Sequence, residues 1–478
     1  MRATLIVGAG PGGTGPLIWA AQAGKLASWL ARGVTVADST AVMGGSLGQY
    51  IINSDSLGAV YLECLNPPPA REIFGALLGE SVYRELECLK HGYPPLALVD
   101  RYLRRVGSIL NRVVVQHPGG EFLAGTTVRA LHYRPDNTIV AELLSSTGQS
   151  QRIETQTVIL GLGGRHRAAW RNAQLAPGVR LSDVPVEKIM PTNTLMTEEG
   201  RQHAVALLAG AARPRVVILG GSHSAFSVSW LLTNLMPEVR FGRSDIRILL
   251  RREPPIFYES LAAAEADGYR ATQADVCPRT QRVHRLGGIR GDGRDMWRRM
   301  TSRPGCAPEE RVVMQRLGES TLSPVELKRQ LDEAALIVPA FGYQARTIPI
   351  FDARGQRVAL QADLGRPAVD AQARIVRTDG QPLANVFCVG LGTGYRPTGS
   401  MGGEPSFAGQ ANSLWLYQND IGGVVYQGVM RCLAGSPRPR AAAILSHLAD
   451  FGAQLKKDPD APRTLLPVDL APVPGPVR

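Results

Sequence analysis

Residues 4–15 read TLIVGAGPGGTG. Thr4 to Val7 is a β-branched and aliphatic run, suited to a buried strand. It breaks into Gly8, Gly10 and Gly13, spaced G-x-G-x-x-G, and an apolar helical pattern follows. Each glycine has a physical reason. Gly8 permits a tight strand-to-helix turn, Gly10 leaves room for a pyrophosphate against backbone, and Gly13 lets the helix lie close on the sheet. The helix N-terminus then offers free N–H groups and a positive dipole end to phosphates. The next strand, VTVAD, ends in Asp38, 25 residues past Gly13, near the ~20 expected of a ribose-binding carboxylate. The pattern predicts a dinucleotide-binding unit; a glycine-rich turn without a ligand is the plain alternative.

The chain has 478 residues, enough for two or three domains. Its 44% hydrophobic content is that of a globular protein. No apolar run reaches the ~18 residues of a membrane span, so no membrane partner is expected. A strand opening almost at Met1 leaves no place for a signal peptide, which predicts a cytoplasmic protein. Cys64, Cys88, Cys277, Cys306, Cys388 and Cys432 contain no C-x-x-C pair. That disfavours a disulfide framework, a dithiol centre and a zinc site, and no metal is expected. The net charge of +12 is carried by Arg, with Lys only at 25, 90, 188, 328, 456 and 457. The Arg residues are dispersed, with no aromatic-interleaved stripe, so no nucleic-acid partner is expected. Anionic dinucleotides suit part of the excess.

Along the chain, Pro16 to Leu30 reads as a helix and Val34 to Asp38 as a strand. AVMGGSLGQYIINSDS (41–56) is a glycine-rich loop, and helical patterns fill 68–112, broken at Tyr93-Pro94-Pro95. Short strands follow to 150, then a strand ending in glycines, TVILGLGG. Residues 171–214 read as connecting structure. A second strand–turn–helix, VVILGGSHSAFSVSWLL, begins at Arg215, 211 residues after the first. DIRILL (245–250) is the following strand, and 270–310 reads as an irregular excursion with one short helix. Ser323 is a plausible N-cap before the strand ALIVPAFGY. LANVFCVGLGTG (383–394) is a buried strand ending in glycines, with a helix expected from about Ser406 through Leu416. The tail from Asp458 is Pro-rich and predicted to be disordered. Two strand–Gly–helix units predict two nucleotide-binding folds in one chain.

Taken together, residues 1–425 resemble the two-dinucleotide-binding-domain flavoproteins. Three features are most similar to the single-component FAD/NAD(P)H monooxygenases of the flavin-containing, N-hydroxylating and Baeyer–Villiger types. GGSHSA (220–225) resembles the G-x-G-x-S-A turn of their NADPH domain, PAFGY (339–343) their ATGY strand end, and GGSL (44–47) their G-G-T-W loop. The resemblance implies an α/β fold of two Rossmann-like three-layer domains. Residues 1–195 and 356–457 would form a discontinuous FAD domain with a helical insert at about 50–112. Residues 196–355 would form an NAD(P)H-type domain, and 458–478 the tail.

The resemblance also implies roles. Gly8, Gly10, Gly12, Gly13 and Asp38 would hold the ADP half of FAD, with Gly44 and Gly45 beside the flavin. Gly390, Gly392 and Gly394 would lie near the pyrophosphate or ribityl chain. A helix after Pro405 would aim at the flavin C2 carbonyl, with Gln410 and Asn412 near its start as flavin contacts. NADPH or NADH would fall to Gly220, Ser222 and Ala225, with Arg251 and Arg252 placed for a 2′-phosphate and His223 inside the turn. Asn53 resembles the Asn beside flavin and NADP⁺, where an amide can hydrogen-bond a hydroperoxide; Gln49 is the second catalytic candidate. Ordinary turn chemistry, a solvated charge pair and helix-surface amides remain the alternatives for these polar residues.

The implied activity is FAD-dependent monooxygenation with NAD(P)H and O2 through a C4a-(hydro)peroxyflavin. It would N-hydroxylate an amine, or carry out a Baeyer–Villiger step, on a small molecule of specialised metabolism. Ser222, Phe341 and Leu47 depart from the family's Gly, Thr and Trp. They keep open an FAD oxidase or dehydrogenase that uses no nicotinamide. A non-enzymatic FAD-fold binding module is the third reading, and homo-oligomerisation is left open.

Overall fold

The computed structural model describes residues 1–166, 170–318 and 322–434. β1 (Arg2–Val7) is buried along all but its first residue and lies inside a nine-stranded sheet. Such a run has no polar face because both of its faces are covered. α1 (Pro11–Gln22) follows, with Gly10 as N-cap and Pro11 in the first turn. The helix starts before the expected Pro16 because Gly12 and Gly13 belong to it, packed on backbone carbonyls of the sheet. It stops before the expected Leu30, broken at Gly24 (φ +65°), and Leu26–Leu30 is a separate short helix.

β2 (Val34–Ala37) pairs parallel with β1, Thr4 opposite Val34. Short helices between residues 58 and 88 lead to α2 (Leu96–Gln116), which opens directly after Pro95. Val99, Tyr102, Leu103, Val106, Leu110 and Val114 recur at helical spacing and are all buried, so one face of α2 enters the core. β3 (Gly120–Leu123) adds to β2 in parallel. β4 (Thr126–Tyr133), β5 (Ile139–Ser145) and β6 (Ser150–Leu160) form an antiparallel meander. The second half of β6 runs on to pair parallel with β1, Thr157 opposite Thr4.

The chain then builds a second sheet. Residues 171–214 are more than the connection expected of them. Glu198–Ala209 is a helix, capped where Gly200 N donates to Thr197 Oγ1 at 3.1 Å. β7 (Val216–Leu219), α3 (His223–Asn234), β8 (Ile246–Leu250), α4 (Gly291–Met300), β9 (Val312–Arg316), α5 (Pro324–Glu333) and β10 (Leu336–Pro339) follow. The strands lie parallel in the order β9-β8-β7-β10. Ser323 caps α5 as expected, accepting from Glu326 N at 3.2 Å.

β11 (Pro382–Cys388) returns to the first sheet and pairs parallel with β6, Val386 opposite Val158. The helix expected over Ser406–Leu416 is not there. Gly402 (φ +70°), Gly403 (φ +139°) and Pro405 hold an irregular course. Helix begins only at Leu414–Gln418, capped by Ser413, and continues as α6 (Asp420–Ala434). The proline-rich tail lies outside the described residues.

Apolar packing divides the chain in two. One core draws on residues 3–160 and 345–433. The second sheet is covered on one face by residues of 190–340, Phe226 and Trp297 among them. Its other face carries Leu219, Leu249 and Ile337 against Leu327 and Leu331. Both sheets are therefore sandwiched, the α/β layering that the two strand–Gly–helix units predict. Where the chain leaves the first core, Gly164–His166 pairs antiparallel with Tyr343–Ala345, where it returns.

Candidate functional site

The first glycine turn is shaped by close approach. Gly8 stands at φ +94°, and a methyl there would meet Gly161 O at 2.5 Å; one at Gly13 would meet Gly8 O at 1.8 Å. Gly10 differs. A methyl there would find only Gly45 Cα, at 3.8 Å, so no neighbour in the protein demands a glycine. Gly390 also has open space, its nearest neighbours being Gly163 at 3.8 Å and Gly12 at 4.0 Å, but its φ of +131° itself favours glycine. Gly10, Gly12, Gly45, Gly163 and Gly390 thus bring bare backbone to one place. No side chain caps the N-terminus of α1, which leaves its first N–H groups as donors there. This cradle fits the diphosphate of a dinucleotide, which needs N–H donors and no Cβ in the way.

Asp38 follows β2 directly. Its Oδ2 accepts from Ala9 N at 2.6 Å, and its Oδ1 from Thr40 N and Thr40 Oγ1 at 2.7 Å. The carboxylate therefore ties the strand end to the glycine turn and stays half-buried at its rim. Gly44 and Gly45 have φ of +127° and +94° and press on Arg104 and Pro11. Gly392 N donates to Asn412 Oδ1 at 3.3 Å, and Gln410 Nε2 donates to Tyr343 O at 3.4 Å. A methyl at Gly394 would press on Pro367. Gln410 and Asn412 thus come to the glycine end of β11 from irregular chain, not from the start of a helix.

The second turn repeats the first in part. Gly220 stands at φ +132°, with Ala340 O at 2.4 Å from a methyl placed there. Ser222 is the N-cap of α3, exposed and without a side-chain cap bond, and Ala225 is buried. Arg251 and Arg252 follow β8 and are exposed; Arg251 Nη2 donates to Gln174 O at 3.0 Å.

Asn53 is drawn to a partner that sequence reading missed. Its Nδ2 donates to Asp292 Oδ2 at 2.9 Å. Asp292 lies in the first turn of α4, so the amide beside the Gly44-Gly45 loop is bonded across to the second sheet's side. Burial raises the Asp292 carboxyl above its usual range, against the lowering effect of the Asn53 bond. Two residues on, Asp55 Oδ2 stands 3.8 Å from His223 Nε2. Burial lowers the His223 ring below the usual imidazole value, with Asp55 opposing and Arg290 assisting. Gln49 is exposed at the end of a single turn, Leu47–Gln49. The one hint of Asp292 in sequence is an acid flanked by glycines in GIRGDGRD.

The arrangement offers a bare-backbone cradle at the first turn, a second strand–glycine–helix turn, and an amide–carboxylate pair joining Asn53 to the first turn of α4. Two such strand–glycine–helix units define an α/β fold of the two-dinucleotide-binding type. No protein-family model matches the chain. It is 32% identical over 444 residues to the CMP-5'-(3-aminopropyl)phosphonate hydroxylase of Streptomyces rubellomurinus, across 90% of this chain and 97% of that protein. The chain belongs to the family of that hydroxylase.

The fold is also similar to FAD-bound cadaverine monooxygenase of desferrioxamine biosynthesis from Erwinia amylovora. The TM-score is 0.50 at 13% identity, covering 92% of this chain and 96% of that one. Reduced ornithine hydroxylase of Pseudomonas aeruginosa is similar at a TM-score of 0.49 and 13% identity, over 89% and 99% of the two chains. No helix among the described residues is long and apolar enough to cross a membrane.

Proposed function

We propose that the chain N-hydroxylates a primary amine carried on a nucleotide-linked phosphonate. The balanced reaction is R–NH2 + O2 + NADPH + H⁺ → R–NHOH + H2O + NADP⁺. The observation that carries this reading is the likeness, over 97% of its length, to a hydroxylase named for an aminopropylphosphonate. The geometry supports nitrogen over carbonyl oxidation. Asp292 offers a half-buried acceptor that can take the proton of an ammonium, and Asn53 fixes its direction. A Baeyer–Villiger ketone has no N–H for that carboxylate.

Bound FAD would supply the oxygen activation, held by Gly8, Gly10, Gly12, Gly13 and Asp38 with Gly390 and Gly392. Gly220, Ser222, Ala225, Arg251 and Arg252 would hold the nicotinamide nucleotide. Asn53 and Asp292 would orient the amine and exclude loose water. The FAD domain would comprise 1–195 and 356–457 and the nicotinamide one 196–355; among the described residues the apolar cores exchange earlier, Met190 and Leu195 packing with the second sheet and Ala345 and Ile350 with the first core. A cytoplasmic location accords with dependence on these two cofactors.

The test is the FAD-loaded protein with NADPH, O2 and CMP-5'-(3-aminopropyl)phosphonate. A product heavier by one oxygen, with NADPH and O2 consumed in equal amounts, is expected. Anaerobic NADPH should also bleach the flavin. A flavin that no nicotinamide bleaches would return the oxidase reading. A panel in which only cyclic ketones gain oxygen would overturn N-hydroxylation.

A further inference from the structure

Arg290 is the N-cap residue of α4, two residues before Asp292. Its guanidinium lies 4.4 Å from the centre of the Phe257 ring, and Nη2 donates to Arg285 O. Its Nε is sealed from solvent and has no hydrogen-bond partner. Asp55 and Glu404 lend this cation favourable charge from beyond ion-pair distance, with Arg282 opposing. Glu404 is already bonded to Leu286 N and Gly287 N, at 3.0 to 3.1 Å. Asp55 is turned toward His223, whose Nε2 is also buried and without a hydrogen-bond partner. A guanidinium in apolar surroundings is costly unless an acceptor meets it. Here a guanidine nitrogen at the N-cap of α4 and a ring nitrogen at the start of α3 are both buried and orphaned, and the ring alone has a carboxylate, Asp55, within 4 Å.

We infer that Arg290 and His223 form a subsite for a phosphoryl-type oxyanion. The chemistry fits two sources: the phosphonate end of the substrate and the diphosphate of the nicotinamide nucleotide. The placement favours the first, and in that form the inference rests on the function proposed above. Arg290 caps α4 and Asp292 stands in its first turn, so both side chains belong to one helix end. With the anion on Arg290, the amine would reach the Asn53–Asp292 pair. A planar guanidinium also matches a tetrahedral oxyanion in two hydrogen bonds, which a lysine cannot do.

The experiment compares wild type with R290Q, R290K and H223Q, all FAD-loaded and of checked flavin content and melting temperature. Calorimetry reads binding of inorganic pyrophosphate, of NADPH and of CMP-5'-(3-aminopropyl)phosphonate separately. R290Q is expected to weaken pyrophosphate binding by about tenfold or more, R290K by less, and H223Q by severalfold. If CMP-5'-(3-aminopropyl)phosphonate weakens in step while NADPH does not, the anion is the substrate's. If NADPH alone weakens in step, the subsite stands and serves the cofactor. Pyrophosphate binding unchanged in both folded, flavin-loaded Arg290 variants overturns the inference. Wild type that binds pyrophosphate through Arg290, yet never hydroxylates the phosphonate, sinks the proposed function and leaves the subsite intact.

Discussion

The two glycine turns make the same demand once and then part. Gly8 and Gly220 both have positive φ, and a methyl on either would strike a carbonyl of the neighbouring strand end, Gly161 or Ala340, within 2.5 Å. That demand belongs to the strand-to-helix junction and is independent of any ligand. After it, the first turn keeps Gly10 and Gly13, whereas the second carries Ser222 and Ala225. The residues that follow each second strand differ in sign. Asp38 is locked onto Ala9 N at 2.6 Å, while Arg251 leans outward to Gln174 O. A closely fitted, anion-tipped turn suits a cofactor that stays. The second turn, with side chains at Ser222 and Ala225 and cations after its strand, presents a different chemistry to any ligand.

Four substitutions would break or sharpen this contrast. The largest effect is expected of G13A, because the added methyl meets Gly8 O at 1.8 Å and α1 must lift from the sheet. Little folded protein should accumulate, as soluble yield and circular dichroism would show. G10A comes next and tests the ligand alone. Its methyl enters open space, so the apoprotein's melting temperature should hold while flavin per protein falls by about tenfold or more. A yellow, fully loaded G10A would place the dinucleotide elsewhere.

Third, R251A should raise the KM for NADPH by about tenfold and leave that for NADH unchanged, since only the former carries a 2′-phosphate. Flavin content should not move. Equal effects on both nucleotides would remove Arg251 from phosphate recognition.

The smallest effect concerns Asp292. Its carboxyl is held above the usual range by burial, so its charged form is disfavoured in the folded state. That penalty is absent below the unfolded pKa and complete above the raised folded one. D292N should therefore melt a degree or two higher at neutral pH, with the gain fading as pH falls through the carboxylate range. Hydroxylation should drop in the same variant. A gain that persists at acid pH would show that the carboxylate's charge is not the cause.

The glycine turns were legible because their spacing reports local geometry within a dozen residues. The core of α2 was legible for the same reason, through its helical period. The missing helix at Ser406–Leu416 was not, since apolar spacing there is overruled by Gly402, Gly403 and Pro405. The helix at Glu198–Ala209 left a usable sign, Thr197 followed by two acids, that outweighs the loop-like composition around it. The Asn53–Asp292 bond left almost none. It joins residues 239 positions apart, and only folding brings an insert loop against the first turn of α4. Arg290 is hidden in the same way, one cation among many until its neighbours are known.

The second-sheet segment leaves and rejoins the first core through the paired strands Gly164–His166 and Tyr343–Ala345, and is bonded to it elsewhere through Asn53–Asp292 and Glu404. Its two ends stand side by side, so inserting the module asks the host fold to close only a hairpin-sized gap. Loop closure across so short a span costs little whatever the length inserted. The inserted segment is thus in principle excisable, and the host strands re-joinable, at that stem. Modules with other nucleotide preferences could be grafted onto the same two strands without redrawing the sheet beneath.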